Sequence, residues 1–373
     1  MSTSPKSVVS NFTQRLMKFE PWRAGRGALI LYVLVIVYAS LNPFIGWHRP
    51  ESFTLFTWPR YIASFDIVLN VLAYAPLGAL AAAIWRRHMG RNGNIALARW
   101  AWAMAVAAAA ALSGALELLQ AMLPGRVSSP LDWLANTGGA ILGATAVTIA
   151  PGRVALARIE YWRHQVFAPG SHTDWGLLLL ALWFFAQLNP AIPFFEAGNV
   201  LNPQLSSEKL PQPYDPLYLL PQAAGITFNV CGFALMVSLV LAPGRRAWLT
   251  AALAIMFGFV AKVSMAALML KAPQLIGWMG PGTVIGLTVG LMLSTFLLSL
   301  SYRWRVLAAT LFVFAGGLMA KMSSVYGEAL RLFDWPYGHL INFASLTSWI
   351  HEVWPLAAFI YLAVVFVKQR HSH

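Results

Sequence analysis

Apolar runs dominate this chain. With about 20 mostly apolar residues needed per bilayer crossing, the pattern predicts ten transmembrane helices. They fall at roughly 27–44, 65–85, 98–122, 130–150, 175–194, 223–243, 247–270, 275–300, 304–321 and 353–368. The polar stretches between them are too short for a folded soluble domain, so any site must be built from helix ends and loops. The first run follows a basic segment (Arg15, Lys18, Arg23, Arg26) and continues into Asn42-Pro43-Phe44. It lacks a small-residue cleavage site and reads as a retained anchor rather than a signal peptide. The longest loops, 45–64, 195–222 and 322–352, are rich in Pro, Trp and Tyr, as segments held at headgroup level are.

Composition agrees with the pattern. Of 373 residues, 58% are hydrophobic and only 10% charged, against about a quarter charged in soluble domains. Mean hydropathy is +0.63. The single cysteine, Cys231, excludes an internal disulfide and a cysteine metal cluster. A net charge of +13 would suggest nucleic acid if it were spread evenly, but it is not. With ten spans, the basic groups Lys6–Arg26, Arg86–Arg99, Arg153–Arg163, Arg245-Arg246, Arg303 with Arg305, and Lys368 with Arg370 share one side with both termini. Of the 13 acidic residues only Glu20, Glu160 and Asp174 join them. Positive residues favour the cytoplasm, so both termini are expected there. The basic charge then reflects topology and attraction to anionic lipid; no nucleic-acid partner is expected.

The pattern also repeats. Leu41-Asn42-Pro43 closes the first span and Leu188-Asn189-Pro190 the fifth. Asn70 stands sixteen residues before Arg86-Arg87, and Asn229 sixteen before Arg245-Arg246. The fourth and eighth spans open with glycines, Gly138-Gly139 and Gly143 against Gly282 and Gly286. These matches predict two four-helix units in the same orientation, at 27–150 and 175–300. A cytoplasmic N-terminus (1–26), a cytoplasmic linker (151–174) and two further helices with a cytoplasmic tail (301–373) complete the expected organisation.

Ionisable groups at membrane depth are costly and need a reason. The first unit gathers them at one rim. Asp66 and Asn70 are four apart and share a helix face; Glu117 and Gln120 are three apart and share another. Ser129-Pro130-x-Asp132 opens the fourth span, and Asp132, Asn136, Gly139 and Gly143 follow one stripe. Arg126 lies in the hairpin between spans three and four. The order Asp66-x3-Asn70, Pro76-Leu77-Gly78, Glu117-x2-Gln120, Arg126, Ser129-x2-Asp132-x3-Asn136-x2-Gly139 resembles the VanZ-like family over roughly 60–145. Its namesake is an accessory teicoplanin-resistance protein of bacteria. The resemblance implies a multi-pass protein of the bacterial cytoplasmic (inner) membrane, linked to the cell envelope and to lipoglycopeptide susceptibility. The second unit matches this pattern only in outline.

Each residue also has a plainer account. Ser129, Pro130 and Asp132 form a helix-start signature, Arg126 can snorkel to headgroups, and Asn70 and Asn136 can act as interhelical glue. The eight histidines show no metal-ligand spacing. In the second unit Gly225 stands where Asp66 does in the first, and the place of Glu117 falls near Lys262, a lysine in mid-span. The spacing therefore predicts a Glu117–Lys262 ion pair between the two copies.

Three functions follow in order. The first is binding or modulation of a lipid-linked or anionic envelope component at the outer leaflet. It uses Asp66, Asn70, Glu117, Gln120, Arg126, Ser129, Asp132 and Asn136, with Arg126 as a two-pronged anion donor. The second is an enzyme, with Glu117, Asp66 and Asp132 as candidate catalytic groups that act as general base or share Mg²⁺ or another divalent cation with a phosphate-bearing lipid. The third is a transporter or flippase.

Overall fold

The structure is a computed structural model that describes residues 25–42, 44–49, 64–91, 100–124, 128–190, 192–196, 216–269, 276–322 and 340–370. Eleven helices lie among the described residues. They are α1 (Gly25–Leu41), α2 (Ser64–Arg91), α3 (Ala101–Gln120), α4 (Pro130–Thr148), α5 (Ala150–Val166), α6 (Ser171–Ala186), α7 (Pro216–Val240), α8 (Ala247–Met269), α9 (Pro281–Leu297), α10 (Tyr302–Met322) and α11 (Leu340–Arg370). The protein is all-α and polytopic: α2, α3, α7, α8, α10 and α11 are each long and apolar enough to cross a bilayer. Every predicted span falls on a helix, but four of them differ from a full straight crossing. Helices α1 and α9 have 17 residues each and α6 has 16. Helix α4 passes the length and apolarity test only together with α5, from which it is bent by 72°. Helix α5 itself fills most of the segment read from the sequence as a linker.

The chain divides into two compact units, Met1–His164 and Gln165–His373. In the first, α2 and α4 pack most closely, and glycine is the reason. A Cβ at Gly139 or Gly143 of α4 would overlap the backbone of Val71 or Ala75, and one at Gly78 of α2 would overlap Ala140. Small residues let membrane helices approach to backbone contact. Pro76 sits inside α2 without ending it, as membrane helices permit. At the foot of the same pair Arg86 Nη1 donates to the Thr148 carbonyl at 3.1 Å, and Arg87 pairs with Glu160 of α5.

The second unit is built around α7, whose apolar window is 89% buried whereas the other full-length spans keep most of theirs at the surface of the fold. A helix that is apolar all round belongs inside. Helices α9 and α10 flank it through Gly286 and Gly290, set against Ala223, Ile226 and Val230, and through Gly232 against Val313. Trp183 of α6 anchors an aromatic core, with ring centroids 4.6 Å from Phe195 and 4.1 Å from Phe233.

Candidate functional site

The site of the first unit starts at the N-terminus of α4, where four backbone N–H groups lack helical partners. Ser129 is extended (φ −135°), and its side chain accepts the Leu131 amide at 3.2 Å. Pro130 occupies the first turn, where no amide donor is needed. The Ser129 amide itself donates to Glu117 Oε2 of α3 at 2.8 Å. Glu117 is 4% exposed, so this carboxylate is spent on a neighbouring helix start, whose dipole favours negative charge.

Asp132 lies in the first turn of α4. Asn70 Nδ2 of α2 donates to its Oδ1 at 2.9 Å. Asp66, one turn earlier on α2, stands near enough for its charge to act on Asp132, and Glu117 also feels Asp132. Asp66, Asn70 and Asp132 are all half-buried. Deeper along α4, Asn136 Nδ2 donates to Ser113 Oγ of α3 at 2.9 Å. Its Oδ1 is buried and has no hydrogen-bond partner among the described residues. Gln120 faces the other way, donating from Nε2 to the Ser40 carbonyl of α1 at 3.0 Å.

The structure thus joins Asp66, Asn70 and Asp132 at one place, sets Glu117 and Ser129 against them as a hairpin clasp, and turns Gln120 toward α1. Arg126 lies outside the described residues. Among the described residues no group of three or more His, Cys, Asp or Glu side chains is placed to hold a metal ion. Chemically, Asp66 and Asp132 are half-buried carboxylates, a type of group that accepts hydrogen bonds from hydroxyl or ammonium donors.

Lys262 has a different account from the one its sequence position suggests. It is fully buried in α8, and its Nζ donates to the carbonyls of Asn189 at 2.8 Å and Gln187 at 3.4 Å. Its ammonium also sits 5.5 Å from the Trp278 ring centre, a cation–π distance. Lys262 and Glu117 each find partners inside their own unit, and neither needs the other to explain its burial. The buried polar groups of this region, Gln187, Glu196, Asn229 and His351, were not legible as a group. Their signal was weak: a glutamate after Pro193-Phe194-Phe195 and a histidine just outside the last apolar run.

No curated protein and no solved structure matches the chain. Residues 16–151 match the family model described as VanZ/LLP1, a stretch that contains α1 to α4 and every side chain of the Asp66–Asp132 site. Residues 16–151 thus form a VanZ-like domain, and the chain that carries it is a multi-pass membrane protein.

Proposed function

We propose that the VanZ-like unit binds the headgroup of a lipid-linked envelope component at the outer leaflet of the bacterial cytoplasmic membrane. Asp66 and Asp132 accept hydrogen bonds from its hydroxyl or amino groups, and Arg126, in the adjoining hairpin, takes a phosphate or carboxylate. Anion binding beside the N-terminus of α4 is favoured by the helix dipole. The observation that carries the reading is the Asn70–Asp132 hydrogen bond at 2.9 Å. It fixes one half-buried carboxylate beside another at the end of a tightly packed helix pair, where a purely structural cap would need neither Asn70 nor Asp66. The clustering of arginine at 86–99 and 153–163 supports placing those ends in the cytoplasm with both termini. The same reading extends to glycopeptides: expressing the chain shifts teicoplanin susceptibility, and Asp132→Asn removes the shift.

The second unit is, on this reading, a degenerate copy of the first that serves as its scaffold. One correspondence supports it. In each copy the third helix sends a side-chain donor to the carbonyl two residues before the Asn-Pro pair, Gln120 to Ser40 in the first and Lys262 to Gln187 in the second.

The test uses the full chain in lipid nanodiscs, with a polyprenyl phosphate and a polyprenyl-phosphate-linked disaccharide as probes. Asp132→Asn and Arg126→Ala each weaken retention of the disaccharide lipid by about tenfold, or about 1.4 kcal/mol. Glu117→Gln stays near the parent. Equal retention by the parent, Asp132→Asn and Arg126→Ala overturns the reading. Loss of turnover without loss of binding in Asp66→Asn or Asp132→Asn would favour the acid–base enzyme instead.

A further inference from the structure

Helix α2 has a second polar end. Arg86 and Asp66 lie on the same helix, ~30 Å apart at 1.5 Å per residue, which is about one hydrocarbon thickness. Arg86 therefore stands in the last turn of the apolar span Asp66–Met89, at the membrane boundary opposite the Asp66–Asp132 site.

The corner that Arg86 meets depends on glycine. Helix α4 ends at Thr148, and α5 leaves it at a bend of 72°. A Cβ at Gly152 would overlap the Ala146 carbonyl, so glycine is what lets the first turn of α5 lie against the last turn of α4. Arg86 Nη1 donates to the Thr148 carbonyl at 3.1 Å, which fixes the guanidinium at this corner. Arg153 stands in the first turn of α5, its amide donating to the Ile149 carbonyl at 3.0 Å, and its charge acts on Arg86.

Two guanidiniums from different helices are thus neighbours, and no described acid lies between them. Glu160, the one carboxylate of α5, is paired with Arg87. The other described acids of the first unit, Asp66, Glu117 and Asp132, belong to the opposite rim. Among the described residues the Arg153 side chain has no hydrogen-bond or ion-pair partner, and the Arg86 side chain bonds the Thr148 carbonyl alone. A guanidinium has five N–H donors and no acceptor, so most donors of the pair remain open to an incoming anion. Capping the end of α4 accounts for Arg86. It does not account for a second arginine set where the two repel.

The group that fits the pair is a phosphate, whose oxygens accept from two guanidiniums at once. The neighbouring surface selects its carrier. Leu142 of α4, Ile149 at the bend and Val154 of α5 are apolar and exposed. Acyl chains can lie along such side chains while the headgroup meets the arginines, whereas a free phosphate gains nothing from them. Basic pockets at the ends of membrane helices hold anionic headgroups in this way.

We propose that the first unit binds the phosphate of one anionic phospholipid between Arg86 and Arg153, in the leaflet opposite the Asp66–Asp132 site. The bound lipid neutralises the pair and joins α2 to the bend between α4 and α5. This site is independent of the Asp66–Asp132 reading, and its test uses none of the polyprenyl probes.

The full chain in neutral detergent is mixed with phosphatidylglycerol or phosphatidylcholine, and the lipid retained per chain is counted by native mass spectrometry. The parent retains phosphatidylglycerol in preference to phosphatidylcholine. Arg153→Gln lowers that retention about tenfold without lowering the melting temperature of the lipid-free chain, because its side chain holds nothing within the unit. Arg86→Gln lowers retention as well, and Arg153→Lys, which keeps the charge, recovers part of it. Arg246→Gln removes the same charge just before α8 and keeps parental retention. Equal retention by the parent and Arg153→Gln overturns the proposal. So does an equal loss in Arg246→Gln, which would mean diffuse charge attraction. Displacement of the lipid by millimolar inorganic phosphate would assign the arginines to a soluble anion and overturn it too.

Discussion

Glu117 and Ser129 are joined by a carboxylate-to-amide hydrogen bond of 2.8 Å that closes the hairpin between α3 and α4. The carboxylate is nearly inaccessible and accepts from a backbone amide, so Glu117 holds the start of α4. Either oxygen of a carboxylate, or the single oxygen of an amide, can accept that N–H. Glu117→Gln is therefore expected to keep both stability and ligand retention near the parent. Glu117→Ala leaves a buried amide without an acceptor, a loss of about 1–3 kcal/mol. Thermal unfolding of the detergent-solubilised chain separates the two. A severe defect in Glu117→Gln with a normal melting temperature would return Glu117 to the list of reacting groups.

Asn70 and Asp132 form the contact on which the binding reading turns. If each exists partly for the other, their substitutions are not additive. Asn70→Ala and Asp132→Ala, alone and together, form a double-mutant cycle, and a direct hydrogen bond to a charged group predicts a coupling of about 1.5–3 kcal/mol in stability. Asp66 adds a second arm. Removing its like charge with Asp66→Asn relieves repulsion on Asp132 and is expected to stabilise the fold while weakening retention of the probe lipid. Stability and retention falling together would show that Asp66 is structural.

Local chemistry was legible where partners are near in sequence. Ser129-Pro130-x-Asp132 announces a helix start because capping is decided within one turn, and α4 begins at Pro130. The Gly139–Gly143 stripe announced close packing, though not that its partner would be the backbone of Val71 and Ala75. Spacing places Asp66 and Asn70 on one face; which helix meets that face is a long-range matter that spacing does not contain. The buried segment after α6 was invisible for a different reason. Its backbone is aperiodic, so Glu196 reads as a loop residue, and its burial depends on donors from α7, α8 and α11. His351 was missed because the last apolar run begins at 353, whereas α11 begins at Leu340. Lys262 was recognised by depth alone, and depth does not say that the Gln187 and Asn189 carbonyls would accept from it.

Helix α5 escaped notice because three arginines interrupt its apolar residues. In the structure Val154, Ile159 and Trp162 are exposed, and Glu160 between them is paired with Arg87. An outward face of that kind, flanked by Arg153 and Arg158, suits the lipid interface. Brominated lipids are expected to quench a fluorescence component that Trp162→Phe removes. Arg153→Gln with Arg158→Gln should lower the preference for anionic vesicles by about 1 kcal/mol per arginine, and less at high salt. Quenching that is indifferent to Trp162 would place this face against protein instead.

Glycine packing gives a prediction with its own control. Alanine at Gly143 would overlap the backbone of Ala75 in α2, whereas alanine at Gly138 meets nothing within 4 Å. Gly143→Ala must push the two helices apart and is expected to destabilise by about 1–3 kcal/mol. Because Asn70 and Asp132 sit on those same helices, it should also weaken lipid retention. Gly138→Ala should do neither, and equal effects of the two would mean that α2 and α4 are not in backbone contact.

Lys262 and Gln120 each donate to the carbonyl two residues before an Asn-Pro pair, but at different depth. Lys262 is fully buried and serves two carbonyls; Gln120 is half-buried and serves one. Lys262→Met removes the charge and keeps the stem, so the Gln187 and Asn189 carbonyls lose their donor, a loss of about 1–3 kcal/mol each. Part of this is offset because the ammonium no longer has to be desolvated. Gln120→Met leaves one half-buried carbonyl that water can reach, with an expected loss near 1 kcal/mol. The larger drop in melting temperature should therefore belong to Lys262→Met, and Lys262→Gln, which can still donate to one carbonyl, should fall between them. If Lys262→Met were instead more stable than the parent, the desolvation of the ammonium would outweigh its hydrogen bonds. The lysine would then be retained for something other than holding the segment after α6.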